Sequence, residues 1–353
     1  MTVSRRLGYI DWARGLAVYL MIQTHAYSSW LSPEAKQTGF WHRVELIGGY
    51  PAPLFLFLAG MGLALMAEAL GARGRGPAAT AREGVRRGLQ VFGYAVLFRL
   101  WMYASGRFTA PWELLRVDVL NCIGLSMILV AAAALVWPSR SQRLAAAIGL
   151  SAAIALLTPL AWDAPWPAWI PRPLLAYVSG RVWGSYFPLF PWAGFTAAGA
   201  AAALLLTEAR QRGREPLTMA ALAAAGAALV PLALFIDRVS RPVYPVYDFW
   251  WTSPCYFLVK VGILLAILGF AYAWNRLPGP SPLRQMGRTS LLVYWVHIEI
   301  VYGGNVFAWA RGSLDVADAT IGLALLVAAM LLLSILRTHG GAWLRRRGVA
   351  VPA

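Results

Sequence analysis

Long apolar runs separated by short polar segments make up most of the chain. About 20 apolar helical residues span the roughly 30 Å of hydrocarbon in a bilayer, and about ten runs approach that length. This pattern predicts an all-α integral membrane protein, a polytopic bundle of about ten transmembrane helices that forms one domain over residues 1–353. The predicted spans are residues 9–30, 49–70, 89–103, 117–137, 144–160, 188–207, 217–236, 255–274, 290–302 and 320–336.

Basic residues are distributed unequally between the two sides of this predicted bundle. The six segments on one side, which include both chain ends, carry 19 arginines, whereas the loops of the other side carry nine lysines and arginines in total. By the positive-inside rule the arginine-rich side is cytoplasmic. Both termini are therefore predicted to lie in the cytoplasm.

The composition supports a membrane protein and argues against a nucleic-acid partner. Hydrophobic residues make up 59% of the chain, charged residues only 13%, and the mean hydropathy is +0.58. The net charge of +16 is concentrated in the cytoplasmic loops, so the expected partner is the lipid bilayer. The first span contains charges and lacks a small-residue cleavage site, which excludes a cleavable signal peptide. Two cysteines are too few for a disulfide framework.

The first predicted helix carries three ionisable side chains in the stretch RLGYIDWARGLAVYLMIQTHAYSSW. Ionisable residues within a membrane usually face the bundle interior or a water-filled cavity. Asp11 and Arg14 are one helical turn apart, and His25 follows Arg14 by about three turns, so all three share one side, with Arg14 and His25 roughly 16 Å apart. An alternative is that Asp11 and Arg14 form an ion pair at the helix start, and that His25 is a hydrogen-bonded core residue. Three such residues on one stripe favour a functional role.

Two further histidines are expected on the outer side of the membrane. His42 lies in the predicted loop after the first span, and His297 lies in the ninth span. Together with His25 they are candidates for one site, since histidine is the natural general base near neutral pH. A metal site is disfavoured because no pair has ligand spacing and few carboxylates are nearby. No metal is therefore expected.

Other polar residues lie within or beside the spans. Asn121 follows Asp118 by one turn at the start of the fourth span, where Asp118 favours the positive end of the helix dipole. Lys260 lies in the eighth span and needs a partner or a water-filled cavity. Three side chains lie at the outer boundary of the sixth span, namely Ser185, Tyr186 and Trp192. The aromatic ones indicate either an interfacial belt or a platform on which sugars stack.

Several motifs, taken in their order along the chain, resemble the membrane acetyltransferases typified by heparan-alpha-glucosaminide N-acetyltransferase and its bacterial relatives. The matching segments are DWARGLAVYLMIQTH, PLFLFLAGMGLAL, VLNCIGLSMIL, SYFPLFPWAGF, TSP and MGRTSLLVYWVH. Each is weakly specific alone, but together they cover most of the chain from Arg5 to about Tyr302. The first segment also resembles the larger family of integral-membrane acyltransferases that acylate bacterial surface polysaccharides.

This resemblance implies that cytoplasmic acetyl-CoA is the acyl donor and that the acceptor is an amino sugar or hydroxyl of a glycan or glycolipid. The acceptor would lie on the outer face of a bacterial cytoplasmic (inner) membrane. The family's catalytic histidine lies in the outward loop between the first two helices, which corresponds approximately to His42. The position of His25 is an asparagine in the eukaryotic enzyme and commonly a histidine in the larger family. We favour His25 as the base, because it shares a helix side with Arg14, and keep His42 as the alternative.

The chemistry of acetyl-CoA suggests where its two ends bind. Guanidinium groups bind phosphates bidentately, so the arginine-rich cytoplasmic side suits the nucleotide. The predicted donor-binding residues are Asp11, Arg14, Arg86, Arg87 and Arg288. For all of the arginines except Arg14, the ordinary positive-inside bias is the competing explanation.

The thioester would lie near the outer half of the membrane, beside the base. Asn121 or Tyr186 would stabilise the oxyanion there, which is typically worth about 2.7–4 kcal/mol per donor. The predicted acceptor-binding residues are Ser185, Tyr186, Trp192, Lys260 and His297. Direct attack on the thioester and a route through an acetyl-histidine are both open.

Two other classes of function compete with an acetyltransferase. A transporter or flippase would also line a path with intramembrane charges, but it favours paired interrupted helices in two halves, and the sequence has no such internal symmetry. A catalytically silent membrane scaffold is the third reading. The acceptor, N- versus O-transfer and the oligomeric state, monomer or homodimer, are left open.

Overall fold

A computed structural model describes residues 7–108, 110–240, 243–303 and 307–346, with side chains as far as residue 340. Among the arginines that predict the orientation of the chain, Arg5, Arg6 and Arg347 lie outside the described residues. The described residues form helices joined by turns and loops. Their bounds are α1 (Gly8–Trp30), α2 (Gly39–Gly48), α3 (Pro51–Gly71), α4 (Pro77–Ala104), α5 (Val119–Ala133), α6 (Arg140–Asp163), α7 (Arg172–Leu175), α8 (Leu189–Gln211), α9 (Glu215–Val239), α10 (Pro254–Trp274), α11 (Pro282–Arg288), α12 (Ser290–Tyr302) and α13 (Val316–Arg346).

Each of the ten predicted spans overlaps one of these helices, which confirms the all-α fold class. Within the described part of the chain, six segments are long and apolar enough to cross a membrane. They are Gly39–Gly71, Arg140–Asp163, Leu189–Gln211, Glu215–Val239, Pro254–Trp274 and Val316–Gly340. The 15 residues of α5 and the 13 of α12 are apolar but shorter, and α1 and α4 carry several charges. Ten crossings and the orientation of the termini remain predictions.

Helix α2 occupies a segment that the apolar pattern treats as a loop. It follows a short 3-10 turn at Ala35–Gln37 and ends at a pair of glycines before α3. Its Phe40 ring packs edge-on against Tyr27 of α1, with 5.1 Å between ring centroids, and Val44 is buried. The apolar face of this ten-residue helix is too short to register as a span, which is why the hydrophobic pattern missed it.

The chain divides into two compact units. The first comprises residues 1–52 and 271–353 and contains α1, α2, α11, α12 and α13. The second comprises residues 53–270 and contains α4 to α9 with most of α3 and α10. Each unit brings together helices that are distant in the sequence.

Glycines allow α1 and α11 to touch backbone to backbone in the first unit. A Cβ atom at Gly15 would lie 1.8 Å from the carbonyl oxygen of Leu283, and one at Gly287 would lie 1.8 Å from that of Asp11. Any side chain at either position would therefore force the helices apart. Small residues permit such close approach between membrane helices, which gain stability from van der Waals packing. This crossing holds the start of α1, where Asp11 and Arg14 lie.

The second unit has the same kind of crossing between α3 and α8. A Cβ atom at Gly60 would lie 1.8 Å from the carbonyl oxygen of Thr196, and one at Gly199 would lie 1.9 Å from that of Phe57. Gly62, on the same helix as Gly60, has open space around the position of a Cβ atom. The two glycines of α3 therefore differ in the room that they have for a methyl group.

This difference predicts opposite effects of the same substitution at two neighbouring positions. Gly60→Ala is expected to lower stability by about 1–3 kcal/mol, the usual cost of overpacking. Gly62→Ala is expected to be neutral or to stabilise by up to about 1 kcal/mol, because alanine favours helix more than glycine does. Thermal unfolding of the detergent-solubilised protein, followed by size-exclusion chromatography, measures both. Equal stability of the two variants would contradict the close crossing.

Candidate active site

Two of the predicted histidines meet in the first unit. His25 of α1 and His297 of α12 are 272 positions apart in the sequence, yet Nδ1 of His25 lies 2.9 Å from Nε2 of His297. Their rings are nearly parallel, with an angle of 6° between the planes. His297 is fully buried and His25 is partly buried. The prediction that histidines from the first and ninth spans converge is therefore confirmed for this pair.

The hydrogen-bond partners determine which nitrogens of this pair carry protons. Nδ1 of His297 lies 2.8 Å from the carbonyl oxygen of Val293, one helical turn earlier. A carbonyl oxygen only accepts, so this Nδ1 carries a hydrogen, and in a neutral ring Nε2 of His297 is then an acceptor. Nδ1 of His25 must accordingly donate to it. The remaining nitrogen of His25, Nε2, is left with its lone pair.

In this arrangement His297 orients the ring of His25, and Nε2 of His25 is suited to act as a base. A ring with a lone pair on Nε2 is able to take a proton from a reacting group. The imidazolium that results keeps its Nδ1–H directed at His297, and a hydrogen bond from a charged donor is stronger than one from a neutral donor. His297 thus fixes the tautomer and orientation of His25, the role that a third group plays for the base in hydrolytic triads.

Asp11 and Arg14 form an ion pair near the start of α1. Nη1 of Arg14 lies 3.3 Å from a carboxylate oxygen of Asp11, which confirms the simpler interpretation of these two residues. The carboxylate side chain is 4% exposed and that of Arg14 is 27% exposed. Part of the Arg14 side chain is therefore accessible while Asp11 holds its guanidinium group. Along the helix axis it lies roughly 16 Å from His25.

His42 does not join the histidine pair. Its side chain is 91% exposed, and its Nδ1 lies 3.8 Å from a carboxylate oxygen of Glu45 on the same helix. His42 precedes the buried Val44 by two positions, and two positions turn a helix by about 200°. The face that buries Val44 therefore directs His42 outwards. The expected convergence of three histidines holds for two.

Arg86 and Arg87 are exposed residues of α4 in the second unit and pair with one carboxylate. Both guanidinium groups bind Glu83, at 2.7 Å for Arg86 and 3.0 Å for Arg87. The hydrogen bonds from Arg86 and then Arg87 lower the pKa of Glu83 from 4.5 to about 2. Arg288 is an exposed residue at the end of α11 in the first unit. A role of the three arginines in binding the donor stays a prediction.

Asn121 completes the N-terminal cap of α5. Its Oδ1 accepts a hydrogen bond from the backbone of Asp118 at 3.4 Å, while the Asp118 side chain accepts one from the backbone of Leu120 at 3.0 Å. Nδ2 of Asn121 donates to the Tyr177 hydroxyl at 3.4 Å. Asp118 also pairs with the buried Arg99 at 3.0 Å. A capping box accounts for these contacts, and the role of Asn121 as an oxyanion donor stays a prediction.

Lys260 and Trp192, both predicted to bind the acceptor, are neighbours in the second unit. The Lys260 ammonium lies 4.6 Å from the ring centroid of Tyr256 and 5.5 Å from that of Trp192. These distances are those of cation–π contacts, which stabilise a partly desolvated cation. Two aromatic rings thus provide the partner that a lysine in a membrane helix requires.

Ser185 and Tyr186 lie in the loop before α8. The Ser185 hydroxyl donates to the carbonyl oxygen of Ala176 at 2.6 Å, so it supports the loop. Tyr186 is 57% exposed. Its ring centroid lies 5.8 Å from the guanidinium group of Arg116. An exposed ring paired with a cation fits either an interfacial belt or a sugar platform, as the sequence indicates.

The sequence reasoning missed what holds His25. His297 stood among the predicted acceptor-binding residues, a role that stays a prediction, and the structure adds its hydrogen bond with His25. The carbonyl of Val293, which sets the tautomer, is backbone and has no signal in the sequence beyond its position four residues before His297. Within the described residues there is no group of three or more His, Cys, Asp or Glu side chains arranged to hold a metal ion.

A comparison with protein families covers the part of this site that lies on α1. The profile described as heparan-alpha-glucosaminide N-acetyltransferase, catalytic, matches residues 6–249. That range includes all of α1 with His25, whereas α12 with His297 lies beyond it. A comparison with curated proteins gave no significant match. Because the matched range is well over half of the sequence, the chain belongs to the heparan-alpha-glucosaminide N-acetyltransferase catalytic family.

Proposed function

We propose that this protein transfers the acetyl group of cytoplasmic acetyl-CoA to an amino or hydroxyl group of a glycan or glycolipid on the outer face of a bacterial cytoplasmic membrane. Membership of the acetyltransferase family and the six long apolar helices support a membrane-embedded transferase. The observation that carries the mechanism is the hydrogen bond from His25 to His297, which leaves a lone pair on Nε2 of His25.

In the proposed reaction, Nε2 of His25 takes the proton of the acceptor as the acceptor attacks. The nitrogen or oxygen of the acceptor forms a bond to the carbonyl carbon of the thioester, and the carbonyl oxygen becomes an oxyanion. Collapse of this intermediate breaks the carbon–sulfur bond. The CoA thiolate leaves and receives the proton from the His25 imidazolium, so the base is regenerated.

The surroundings of the pair favour this proton transfer. A charge that forms among apolar helices interacts strongly with nearby dipoles, because little water screens it. His297 presents its Nε2 lone pair to the proton on Nδ1 of His25, and Val293 prevents His297 from turning this nitrogen into a donor. Fixed dipoles of this kind need no rearrangement during the reaction.

Arg14 is the proposed contact for the phosphates of the donor. Its side chain is partly exposed, with the guanidinium group anchored by Asp11, and guanidinium groups bind phosphate oxygens bidentately. The roughly 16 Å along α1 between Arg14 and His25 suits a donor whose phosphates and thioester lie at opposite ends of a long arm. A single helix would then contact both ends of acetyl-CoA.

The role of His25 is tested by acetyl transfer from radiolabelled acetyl-CoA to a panel of amino sugars and short glycans. His25→Ala is expected to reduce kcat by about 10²–10⁴-fold, the usual contribution of a general base, and to leave the protein folded on size exclusion. Transfer at the wild-type rate in this variant, with a large loss in His42→Ala, would assign the base to His42. Absence of transfer to every acceptor by folded wild-type protein would remove the proposed activity.

The role of His297 is tested by comparing two substitutions. His297→Leu cannot accept the hydrogen bond from His25, and we expect kcat to fall about 10–100-fold, as for other groups that orient a reacting side chain, with little change in KM for acetyl-CoA. His297→Gln offers a carbonyl oxygen as an acceptor and is expected to recover part of kcat. Equal kcat in the two variants would mean that His297 only fills space.

The role of Arg14 is tested by the affinity for acetyl-CoA. Loss of a hydrogen bond to a charged group costs about 1.5–3 kcal/mol, so Arg14→Ala is expected to raise Kd about 10–100-fold in isothermal titration calorimetry. Arg210→Ala is the control, because Arg210 is a half-exposed arginine paired with Glu215 at 3.7 Å. An unchanged Kd in Arg14→Ala would restrict Arg14 to its ion pair with Asp11.

A further inference from the structure

An apolar pocket of about 580 Å³ lies in the first unit, at the ends of the two helices that carry the histidine pair. Its walls come from the ends of α1 and α12, from the segment around Trp309, and from a stripe of α13 that runs from Asp318 to Ala329. The volume falls in the range of about 300–1,000 Å³ that is typical of small-molecule sites. The proposed mechanism makes no use of this pocket.

The pocket begins close to the proposed base on two helices. On α1, the wall residue Trp30 follows His25 by five positions, and on α12 the wall residue Ile300 follows His297 by three. These steps correspond to about 7.5 Å and 4.5 Å along the helix axes. A molecule in the pocket therefore lies one or two turns from the site of proton transfer.

The shape of the pocket suits a hydrocarbon chain. The stripe on α13 from Asp318 to Ala329 is roughly 16 Å long, about half of the roughly 30 Å of hydrocarbon in a bilayer. Its central residues are aliphatic and include Ile321 and Leu325. A chain that belongs to a lipid of one leaflet fits alongside a membrane-spanning helix over this distance.

A buried polar group in the wall indicates that the occupant also has a polar end. Trp30 is 3% exposed, and its Nε1 has no hydrogen-bond partner among the residues that the structure describes. An indole N–H only donates, and a buried donor without an acceptor costs stability. An ether, hydroxyl or phosphate oxygen of a ligand would satisfy it. Asp318, in the same wall, offers a carboxylate to hydroxyl or amino groups.

We infer that this pocket binds the hydrocarbon chain of the acceptor, which is therefore an amphiphilic, lipid-linked glycan and not a free sugar. The chain lies along α13, and the oxygen that joins it to the head group accepts the hydrogen bond from Trp30. The first sugar is thereby held beside His25. This inference rests on the proposed acetyl transfer and specifies its acceptor.

Two glycosides that differ only in chain length test the inference. Wild-type protein in lipid nanodiscs is assayed with radiolabelled acetyl-CoA and either methyl or dodecyl β-glucosaminide. The pocket variant is Leu325→Trp, which fills the groove from a position that is 67% exposed. The control is Leu332→Trp on the same helix, 57% exposed and outside the pocket wall. Ile321→Trp, in the wall and 60% exposed, is the second pocket variant.

We expect kcat/KM of wild-type protein to be at least tenfold higher for the dodecyl than for the methyl glycoside. Leu325→Trp and Ile321→Trp are expected to remove this preference through KM for the dodecyl glycoside and to leave the methyl glycoside unaffected. Leu332→Trp is expected to keep the preference. The dodecyl glycoside enters the bilayer equally with every variant. If all variants keep the same preference for it, membrane partitioning alone explains that preference, and the inference is overturned.

Photolabelling provides a readout that does not require acetyl transfer. A dodecyl glucosaminide with a diazirine in its chain is expected to label the pocket segment of α13 in wild-type protein and Leu332→Trp, and not in Leu325→Trp. Labelling without transfer to any acceptor would contradict the proposed function and still support binding of a hydrocarbon chain in the pocket. Transfer to both glycosides at equal rates, without labelling, would overturn the inference and still support the proposed acetyl transfer. If a phospholipid probe labels the pocket, and Leu325→Trp leaves kcat/KM for the dodecyl glycoside unchanged, the pocket holds a structural lipid. That result would overturn the inference.

Discussion

The hydrogen bond between His25 and His297 is the interaction on which the proposed chemistry depends. Among apolar helices an imidazole cannot rely on water for hydrogen bonds, so each ring nitrogen must find a partner in the protein or leave a cost in free energy. Three of the four ring nitrogens are satisfied by the two rings and the carbonyl of Val293. The fourth, Nε2 of His25, has no hydrogen-bond partner in the described part of the chain and is the one that the proposed reaction uses. The need to satisfy buried polar groups thus gives the proposed base a defined tautomer.

The helix that carries this base is held by close backbone contact at its other end. Gly15 and Gly287 bring α1 and α11 together at a distance that no side chain would permit. This contact adjoins Asp11 and Arg14, so the proposed donor contact and the proposed base are fixed on one rigid element. A spacing set by the rise of a helix does not change with side-chain motion. That property suits the proposed donor, whose phosphates and thioester lie at opposite ends of a long arm.

Several charged or polar residues that invite a functional reading have structural contacts close in the sequence. Asn121 and Asp118 cap α5, and Arg86 and Arg87 share Glu83 one turn away. His25 differs from Arg86 and Arg87, because its partner comes from a distant helix and because no described residue forms a hydrogen bond with its Nε2.

The sequence by itself determined the helical segments, the stripe of Asp11, Arg14 and His25 on α1, and the family motifs, since apolar runs, helical spacing and short motifs are local properties of the chain. The tertiary structure alone decided that His25 binds His297, that His42 points outwards on α2, and that Trp30 lines a pocket in which no described residue accepts its N–H. These outcomes depend on which distant helices pack together. Packing of that kind is decided by shape at each crossing, as at Gly15 and Gly287, and shape is not visible in the periodicity of the sequence.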